Sequence, residues 1–575
     1  MDEKHLRDNT FSPDKISEQS TLFRRPLELR SALLFLLFLF VVTLFVFTTY
    51  SNTLRSPFLL DDFGNIVHNA SIEIDRLSWK SLEKVWLGSQ VEGRRKLSYL
   101  SFAINYWWQG YNPYGFHVVN IAIHICCAVF FFLFSYKSLD TGWLREKYGA
   151  FSFWLAAVAA IIWALHPIQV NAVTYIVQRM TSLAVLFALM ALTAWLWGRE
   201  SWIQQRRFQA LGWWTGAFVS WCLGLLSKEH VAIVPVLIVV HELFLLRRGR
   251  IQKIKWNWIF LLGVFFAALC LYYLGSDPIQ RILGGYVKRD FTLMERLLTE
   301  SRVLWHYISL FFVPISKRFS LFYDYPLSTG IFSPITTCIA MISWSGLLFF
   351  SWYFREKYPI ISWMTAWFLV SNLIESTIIP LEIIFEHRMY LPSSGLSMGV
   401  VLICFDAFQN MKMHRAVSVC FLLAFLCVLS FATYSRNLDF RNEVALYRSE
   451  LQKFPDSQRN RLGLALALNH AGRFSEGGRM LEEMAEAYPY DFVVQQNWYN
   501  FLVRIQNDHS RSEQVYKQLY DIIENGHYDY RHDAIALKNF AELLFERGYH
   551  KRALVMVDRL LVNYRKASFY LLKGV

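Results

Sequence analysis

Two adjacent carboxylates, Asp61 and Asp62, lie just after the first long apolar run of the chain, residues 32–50. A carboxylate at the edge of a membrane can take a proton from a hydroxyl group, and a neighbouring carboxylate can raise its pKa or help to coordinate a cation. Paired aspartates are also common in solvated loops and at helix caps. We interpret the pair as a candidate catalytic site in which either residue could be the base.

Three cations are candidates for binding an anionic ligand such as a phosphate. Arg179 lies just inside the fourth apolar run, where an unpaired cation is costly, and Arg388 lies between the ninth and tenth runs. A guanidinium group offers phosphate oxygens a fixed fork of donors. Lys228, in the loop between the fifth and sixth runs, could add a third charge. Snorkelling is the alternative for Arg179, and a local ion pair is the alternative for Lys228.

Further polar residues occur in the same connecting segments, and we predict that they support the site or contact the substrate: Arg95, His166, Glu229, Glu386, His387 and Tyr390. For His166, at the end of an apolar run, capping a helix is the more usual role. No second cluster of metal ligands has a recognisable spacing, so we predict no obligatory metal or other cofactor. A divalent cation at Asp61 and Asp62 remains possible.

The composition is that of a membrane protein, because 54% of the 575 residues are hydrophobic and 18% are charged. Most of the apolar runs are long enough to cross a hydrocarbon core of ~30 Å. We predict an all-α polytopic fold with about eleven transmembrane helices, at residues 32–50, 116–136, 151–165, 175–197, 210–226, 231–246, 257–275, 333–354, 360–378, 395–409 and 416–434. The shorter run 303–315 is predicted to be a re-entrant or interfacial helix.

Lysine and arginine placement predicts the orientation, because cytoplasmic loops retain positive charge. The segments assigned to the cytoplasm hold 21 Lys and Arg residues; they are 1–31, 137–150, 198–209, 247–256, 355–359 and 410–415. The short loops on the opposite side contain only two lysine or arginine residues, Lys228 and Arg388. We therefore predict a cytoplasmic N-terminal tail (1–31), a membrane domain (32–435) whose first extracytoplasmic loop (51–115) carries the acidic pair, and an extracytoplasmic C-terminal domain (436–575).

The C-terminal domain has the pattern of helical repeats. Small and apolar residues fall where a tetratricopeptide repeat needs them, at Leu464, Ala465, Leu468, Gly472, Arg473, Phe474, Leu481, Met484 and Pro489. A second copy lies at Ala541, Leu544, Gly548, Tyr549 and Ala553, and residues 492–525 are predicted to be a degenerate helix pair. An unrelated helical domain is the alternative. Either one suits binding or positioning of a partner.

The distribution of charge argues against nucleic-acid binding. The chain has a net charge of +13, but residues 436–575 hold 20 basic and 18 acidic residues, so most of the excess belongs to the membrane part. This excess is mainly topogenic. All eight cysteines fall in predicted spans, which implies neither a disulfide framework nor a zinc site.

The motifs taken together resemble the transmembrane O-mannosyltransferases that carry C-terminal tetratricopeptide repeats, and more closely their bacterial relatives of the GT-C glycosyltransferase class. The resemblance covers essentially the whole chain in motif order. The matching residues are Leu60-Asp61-Asp62 with Ile66 and Asn69, Arg95-Lys-Leu97, Asn105-Tyr106, His117 with Asn120 and His124, His166-Pro167, Gln178-Arg179, Leu226-Ser-Lys-Glu229, and Glu386 with Tyr390-Leu-Pro392. The chain departs from the eukaryotic pattern at Asn171 and His387, so donor sugar and acceptor are not carried over.

The resemblance implies an inverting sugar transfer from a polyprenyl-phosphate-linked donor to an acceptor hydroxyl, on the extracytoplasmic face of a bacterial inner membrane. It implies that Asp61 or Asp62 is the base and that the basic residues hold the lipid phosphate. We expect an exported protein as the acceptor, recruited by the repeats. The alternatives are a glycolipid or cell-surface polymer as acceptor, a transporter or flippase of polyprenyl-linked sugars, and a non-catalytic scaffold.

Overall fold

A computed structural model describes residues 13–88, 95–250, 277–287, 289–524, 534–546 and 548–563. Over these residues the secondary structure is helical, and β pairing is limited to one isolated bridge between Gly330 and Ser333. The predicted all-α fold is therefore confirmed for this part of the chain. The predicted span 257–275 lies outside it.

The helices of the described residues divide into those of the membrane part and those of the repeat part. Those of the membrane part are α1 (Pro13–Tyr50), α2 (Trp79–Leu87), α3 (Lys96–Gln109), α4 (Pro113–Leu139), α5 (Gly142–Tyr148), α6 (Ser152–Leu165), α7 (Val170–Thr174), α8 (Arg179–Ile203), α9 (Arg207–Ser227), α10 (Val234–Val240), α11 (Pro278–Tyr286), α12 (Leu293–Phe312), α13 (Ile335–Tyr353), α14 (Pro359–Asn372), α15 (Pro392–Asn410) and α16 (Arg415–Asn437). Those of the repeat part are α17 (Glu443–Lys453), α18 (Gln458–His470), α19 (Phe474–Ala487), α20 (Phe492–Phe501), α21 (His509–Glu524), α22 (Ala534–Glu546) and α23 (His550–Asn563).

Eight helical segments in the described residues are long and apolar enough to cross a membrane. They are Ala32–Thr53, Pro113–Leu139, Gly142–Leu165, Ile176–Ile203, Arg207–Ser227, Glu229–Leu246, Ile335–Tyr353 and Arg415–Arg441. The chain is thus a multi-pass membrane protein, with fewer such segments than the eleven predicted. The predicted runs 360–378 and 395–409 fall on α14 and α15. Helix α14 has 14 residues and extends only about 21 Å, and α15 carries several serines and Asp406.

Helix α12 contains the run 303–315 that we predicted to be interfacial. It begins with a capping box, in which the Thr292 side chain accepts the Glu295 N–H while the Glu295 carboxylate accepts the Thr292 N–H. It is not among the eight candidate spans. Its buried side includes Arg296 and Glu300, which form an ion pair at 2.9 Å.

Segments that we assigned to the cytoplasm meet at one end of the membrane helices. Lys147 pairs with Asp406 at 2.6 Å, which joins the segment after α4 to the end of α15. The Arg355 guanidinium donates to the Gly249 carbonyl at 3.1 Å. The opposite end contains the acidic pair, and we call it the Asp61 face. The orientation of these two ends relative to the membrane stays a prediction.

The repeat part consists of helix pairs, as predicted. The turns between paired helices contain Gly472, Asn507 and Gly548, with φ of +75°, +55° and +80°. This left-handed backbone favours glycine, or asparagine as the next best residue. The degenerate middle pair therefore keeps the same turn geometry with an asparagine in place of the glycine.

Candidate active site at the Asp61 face

Asp62 is a buried carboxylate that holds the loop after the first span. Its Oδ1 accepts the backbone N–H of Val177 at 2.7 Å, and its Oδ2 accepts that of Leu59 at 2.9 Å. Burial raises the pKa of Asp62, while these two N–H groups oppose the increase. Because both oxygens are engaged and the side chain is buried, Asp62 anchors the loop to the turn before α8.

Asp61 is the exposed carboxylate of the pair. Its backbone N–H donates to the Tyr175 hydroxyl at 2.8 Å, and the preceding residue, Leu60, has a φ of +47°. Such a conformation costs a leucine of order 1 kcal/mol or more and is maintained by surrounding contacts. Desolvation raises the pKa of Asp61, and the Tyr175 hydroxyl and the Arg459 guanidinium oppose the increase. Asp61 is therefore an accessible carboxylate with the properties of a base.

Lys228 and Arg95 contact residues that follow Tyr175 and Val177 closely in the chain. The Lys228 Nζ donates to the Thr181 hydroxyl at 2.9 Å. The Arg95 Nε lies 3.2 Å from a carboxylate oxygen of Glu229, and its guanidinium contacts the Met180 sulfur at 3.8 Å. The side chain of Arg95 is 30% exposed and that of Lys228 is 9% exposed. Residues 175–181 thus contact the acidic pair at their start and these two cations at their end.

Glu375 is the principal anion beside Lys228, at 3.4 Å from the Nζ atom. It follows α14 and lies among the charged and imidazole groups of His230, His387 and Arg388. The His387 Nδ1 lies 3.4 Å from the Asn171 Oδ1. Burial holds the pKa of His387 well below its usual range, so this ring is neutral at pH 7.

Arg388 is buried behind this cluster. Its guanidinium donates to the carbonyls of Ile383 and Glu382 at 2.9 and 2.6 Å. One nitrogen lies 3.9 Å from the Glu300 carboxylate. Arg388 therefore contributes positive potential to the Lys228 region while its side chain is occupied by the loop that carries it.

Arg179 differs from the unpaired cation that the sequence suggested. It is fully buried and donates to the side chains of Asn120 (2.7 Å) and Asn105 (2.8 Å) and to the carbonyls of Phe116 (2.9 Å) and Ser101 (3.2 Å). These partners come from α3 and α4 and replace the water that the guanidinium loses on burial. The arrangement favours a structural role for Arg179 over direct phosphate contact.

His166 and Tyr390 are also enclosed. The His166 Nδ1 accepts the Ile168 N–H at 3.1 Å and its Nε2 donates to the Phe311 carbonyl at 2.9 Å. Burial lowers the pKa of His166 to about 4, so the ring is neutral and caps the turn after α6. The Tyr390 hydroxyl bonds to the His124 Nδ1 at 2.6 Å in the membrane core. Both residues position the segments on which the site is built.

Glu386 lies away from the Lys228 cluster, at the junction with the repeat part. Its carboxylate accepts the Ser320 N–H at 2.5 Å and the Tyr323 hydroxyl at 2.8 Å. Its other oxygen is 3.7 Å from the Arg436 guanidinium. Burial raises the pKa of Glu386 to about 7. The structure therefore separates Glu386 from the cations near which it was predicted to act.

The geometry offers few ligands for a metal ion. Within the described ranges, no group of three or more His, Cys, Asp or Glu side chains is arranged to hold one. Because Asp62 uses both oxygens for backbone N–H groups, Asp61 is the carboxylate of the pair that is free for an external ligand.

Four contributors to this face were not identified from the sequence: Tyr175, Glu375, Arg436 and Arg459. A signal was present for Glu375, because a lone acidic residue inside an apolar run marks a functional or paired group. The same reasoning applies to Arg436 at the end of the last run. Tyr175 and Arg459 had no local signal, since their contacts come from distant parts of the chain.

No family model and no solved structure matches the chain. It is 23% identical over 448 residues to protein O-mannosyl-transferase F38B6.6 of Caenorhabditis elegans, covering 74% of this chain and 59% of the worm protein. It is 28% identical over 213 residues to human protein O-mannosyl-transferase TMTC2, covering 36% of this chain and 24% of the human protein. It is 30% identical over 149 residues to mouse protein O-mannosyl-transferase TMTC1, covering 25% of this chain and 15% of the mouse protein.

In each of these matches the chain spans less than two thirds of the relative's own length. The first match nevertheless extends over most of this chain. The chain is thus a multi-pass membrane protein that is similar in sequence to proteins named protein O-mannosyl-transferases.

Proposed function

We propose that the protein is a glycosyltransferase that moves a sugar from a polyprenyl-phosphate-linked donor to a hydroxyl group of an exported protein. The observation that carries the proposal is the arrangement around residues 175–181, where the loop of the accessible carboxylate Asp61, the partly exposed cation Arg95 and the buried cation Lys228 all contact one short segment. Sugar transfer from a lipid phosphate needs these two kinds of group close together. The names of the relatives support the same chemistry.

In the proposed reaction Asp61 is the base. Its carboxylate takes the proton of the acceptor hydroxyl, and the acceptor oxygen forms a bond to the anomeric carbon of the sugar. The bond from that carbon to the phosphate oxygen breaks, and its electrons leave with the lipid phosphate. Asp62 holds the loop in place through the N–H groups of Leu59 and Val177. The raised pKa of Asp61 makes it a stronger base than a fully hydrated aspartate.

The leaving phosphate gains negative charge as this bond breaks, so cations beside it lower the barrier. Arg95 and Lys228 are the proposed phosphate ligands. Arg95 is the more exposed of the two, and Lys228 lies close enough to interact with Arg95 electrostatically. Arg388 adds positive electrostatic potential near Lys228 from its buried position. Arg179 acts by holding the 175–181 segment against α3 and α4.

A lipid donor is supported by an apolar groove between the helices that lead to this site. The groove has a volume of about 290 Å³ and lies between α8, α9 and α10, within three candidate spans. Its lining includes Trp195, Trp214, Phe218 and Trp221. Lys228 is the residue directly after α9, so an isoprenoid chain in the groove would bring its phosphate toward the cation. We further propose that the Asp61 face is the extracytoplasmic side of a bacterial inner membrane.

The test is intact-mass analysis of exported proteins from cells that produce the wild type, no protein, Asp61→Asn or Asp75→Asn at matched levels. Asp75 is an exposed aspartate in the same loop and serves as the control. We expect a sugar-sized mass to disappear from one or more proteins in the deletion and Asp61→Asn cells, and to remain with Asp75→Asn. If no protein changes mass, the protein acceptor is refuted, and glycolipids and surface polymers become the acceptors to examine.

A further inference from the structure

A cavity lies at the end of the membrane helices opposite the Asp61 face. Its volume is about 720 Å³, and its walls come from four parts of the chain. These are α5, the turn that follows the span Glu229–Leu246, the start of α14 and the second half of α15. The lining combines cations, aromatic rings and isoleucines, which are the groups that contact an amphipathic ligand.

The cavity lies where three candidate spans end. The span Gly142–Leu165 begins with the residues of α5 that line the cavity. The span Glu229–Leu246 ends just before Arg248, and the span Ile335–Tyr353 ends shortly before Lys357. Residues that flank the ends of spans lie at the level of the lipid headgroups. The cavity is therefore at the depth in a bilayer at which a headgroup lies.

The turn that carries Arg248 is held in one conformation. Arg248 has a φ of +54° and Gly249 a φ of +71°. The Arg355 guanidinium donates to the Gly249 carbonyl at 3.1 Å, and a Cβ atom at Gly249 would lie 3.0 Å from the Arg355 backbone. The Trp143 indole donates to the Leu245 carbonyl at 2.7 Å, which fixes α5 against the same turn. Because left-handed backbone is uncommon for an arginine, these contacts are what keep Arg248 at the cavity.

Two cations of the lining have no carboxylate partner. The Arg248 guanidinium donates to the Glu356 carbonyl at 3.2 Å and lies 5.5 Å from the centroid of the Trp143 ring. The Lys357 ammonium lies 5.3 Å from the centroid of the Tyr358 ring. Both side chains are exposed, and neither forms an ion pair with a carboxylate of the residues that the structure describes. Their charges are therefore available to an anion.

The carboxylates of the lining do not cancel this charge. Asp406 is occupied by the Lys147 ammonium at 2.6 Å and by the Tyr148 hydroxyl at 2.8 Å. Glu146 is the other carboxylate, and it is exposed on α5. The lining thus holds three cations (Lys147, Arg248 and Lys357) and two carboxylates, which is a balance of +1.

Isoleucines supply the apolar part of the cavity. Ile360 and Ile361 belong to the first turn of α14, and Ile403 lies on α15. Ile403 is 37% exposed, so its side chain is accessible to a ligand. A ligand that has both a phosphate and an apolar chain can use the cations and the isoleucines together, whereas a free phosphate ion would use the cations alone.

We propose that this cavity binds the headgroup of an anionic phospholipid. The phosphate is held by Arg248 and Lys357, and the first part of an acyl chain packs against Ile361 and Ile403. Guanidinium and ammonium groups bind phosphate oxygens with charge-assisted hydrogen bonds, and basic pockets between membrane helices bind anionic headgroups. The aromatic rings beside the two cations suit the same level of the bilayer. The site does not depend on the proposed function, because it shares no residue with the Asp61 face.

The test is equilibrium binding of labelled phosphatidylglycerol to the purified full-length protein in detergent. We expect one saturable site in the wild type, with unlabelled phosphatidylcholine as a weak competitor. For Arg248→Gln/Lys357→Gln we expect the Kd to rise by roughly 10- to 30-fold, because two cations beside the anionic headgroup are lost. Arg248→Lys/Lys357→Arg keeps both charges and should bind close to the wild type.

Lys412→Gln/Arg415→Gln is the matched control. It also removes two exposed basic residues, from the loop after α15 and outside the cavity lining. Its Kd should stay near that of the wild type. An equal loss of binding in the two glutamine variants would show attraction by general surface charge and would overturn the site. Competition by phosphatidylcholine as strong as that by unlabelled phosphatidylglycerol would also overturn it. Displacement by inorganic phosphate, but not by sodium chloride at the same ionic strength, would assign the cavity to a free anion and overturn the lipid.

Discussion

Replacing Glu450 with glutamine tests whether the two parts of the molecule are held together by buried charge. Glu450 lies buried on α17 and accepts hydrogen bonds from the N–H groups of Leu321 and Phe322 and from the Ser320 hydroxyl, which the amide oxygen of glutamine can still accept. In the wild type, the Lys453 ammonium lies 3.1 Å from a carboxylate oxygen of Glu450. In the variant, the amide NH₂ of the glutamine faces this ammonium instead. The substitution keeps the shape of the side chain and removes its charge.

The expected loss of stability at the joint is large because the carboxylate and its partners are enclosed. Removing one member of a buried ion pair typically costs about 3–5 kcal/mol. Arg436 and Lys453 keep Asp439 as a partner in Glu450→Gln, so we expect the lower value, about 3 kcal/mol. Glu443, on the same helix, pairs with His470 at 3.1 Å, but the two side chains are 31% and 70% exposed. Glu443→Gln should therefore cost less than about 1 kcal/mol.

Limited proteolysis with trypsin measures this difference, because Arg441 lies exposed between the two parts. When opening and closing are fast relative to cleavage, the cleavage rate follows the population of the open form. A loss of about 3 kcal/mol raises that population by roughly 10²-fold. Equal cleavage rates at Arg441 in the Glu450→Gln and Glu443→Gln proteins would refute the role of the buried cluster.

Three further predictions concern the site and its orientation. Asp62→Asn leaves a backbone N–H facing an amide NH₂ in a buried site, so we expect a loss of about 1–3 kcal/mol in thermal-unfolding measurements, whereas Asp61→Asn should lose turnover with little loss of stability. Arg179→Lys should lower the free energy of unfolding by about 3–5 kcal/mol, because lysine cannot reproduce the four hydrogen bonds of Arg179. The Kd of the folded protein for the donor lipid should not change. A weaker Kd without loss of stability would make Arg179 a phosphate ligand. Transfer should fail as pH falls through the pKa of Asp61, above the ordinary 3.8, because the base must be ionised; a pH-independent rate down to the ordinary value would exclude Asp61.

Local patterns in the sequence predicted much of the helical framework. Apolar length located eight spans, and small residues with Gly472 and Gly548 located the turns between repeat helices. These features depend on residues close together in the chain. The run 360–378 was predicted to be one transmembrane helix, but the helix ends earlier, because apolar content does not show where a helix ends. Helix α14 stops at Asn372, and Glu375 then turns inward to meet Lys228.

The candidate site was predicted as a set of segments, and topology brought several of them together. The partners of individual side chains could not be predicted, because they come from remote segments. Arg179 is satisfied by Asn105 and Asn120 on two other helices, which no spacing around Arg179 reveals. Glu386 was grouped with the cations by its position in a loop, whereas its contacts lie with Ser320 and Arg436.

Two buried arginines explain why the proposed chemistry can use exposed groups. Arg179 holds the segment before and within the start of α8, and Arg436 holds the junction with the repeat part. Both are costly to bury. Arg179 is held by four hydrogen bonds and Arg436 is balanced by three nearby carboxylates, so each fixes its surroundings in one arrangement. Asp61 is an exposed carboxylate whose backbone N–H is bonded to Tyr175, at the start of the segment that Arg179 holds. A reactive group that substrates must reach cannot itself be enclosed, so its orientation has to be imposed by enclosed neighbours. It follows that substitutions at the two arginines should disturb catalysis through stability and alignment, and substitutions at Asp61 should disturb it directly.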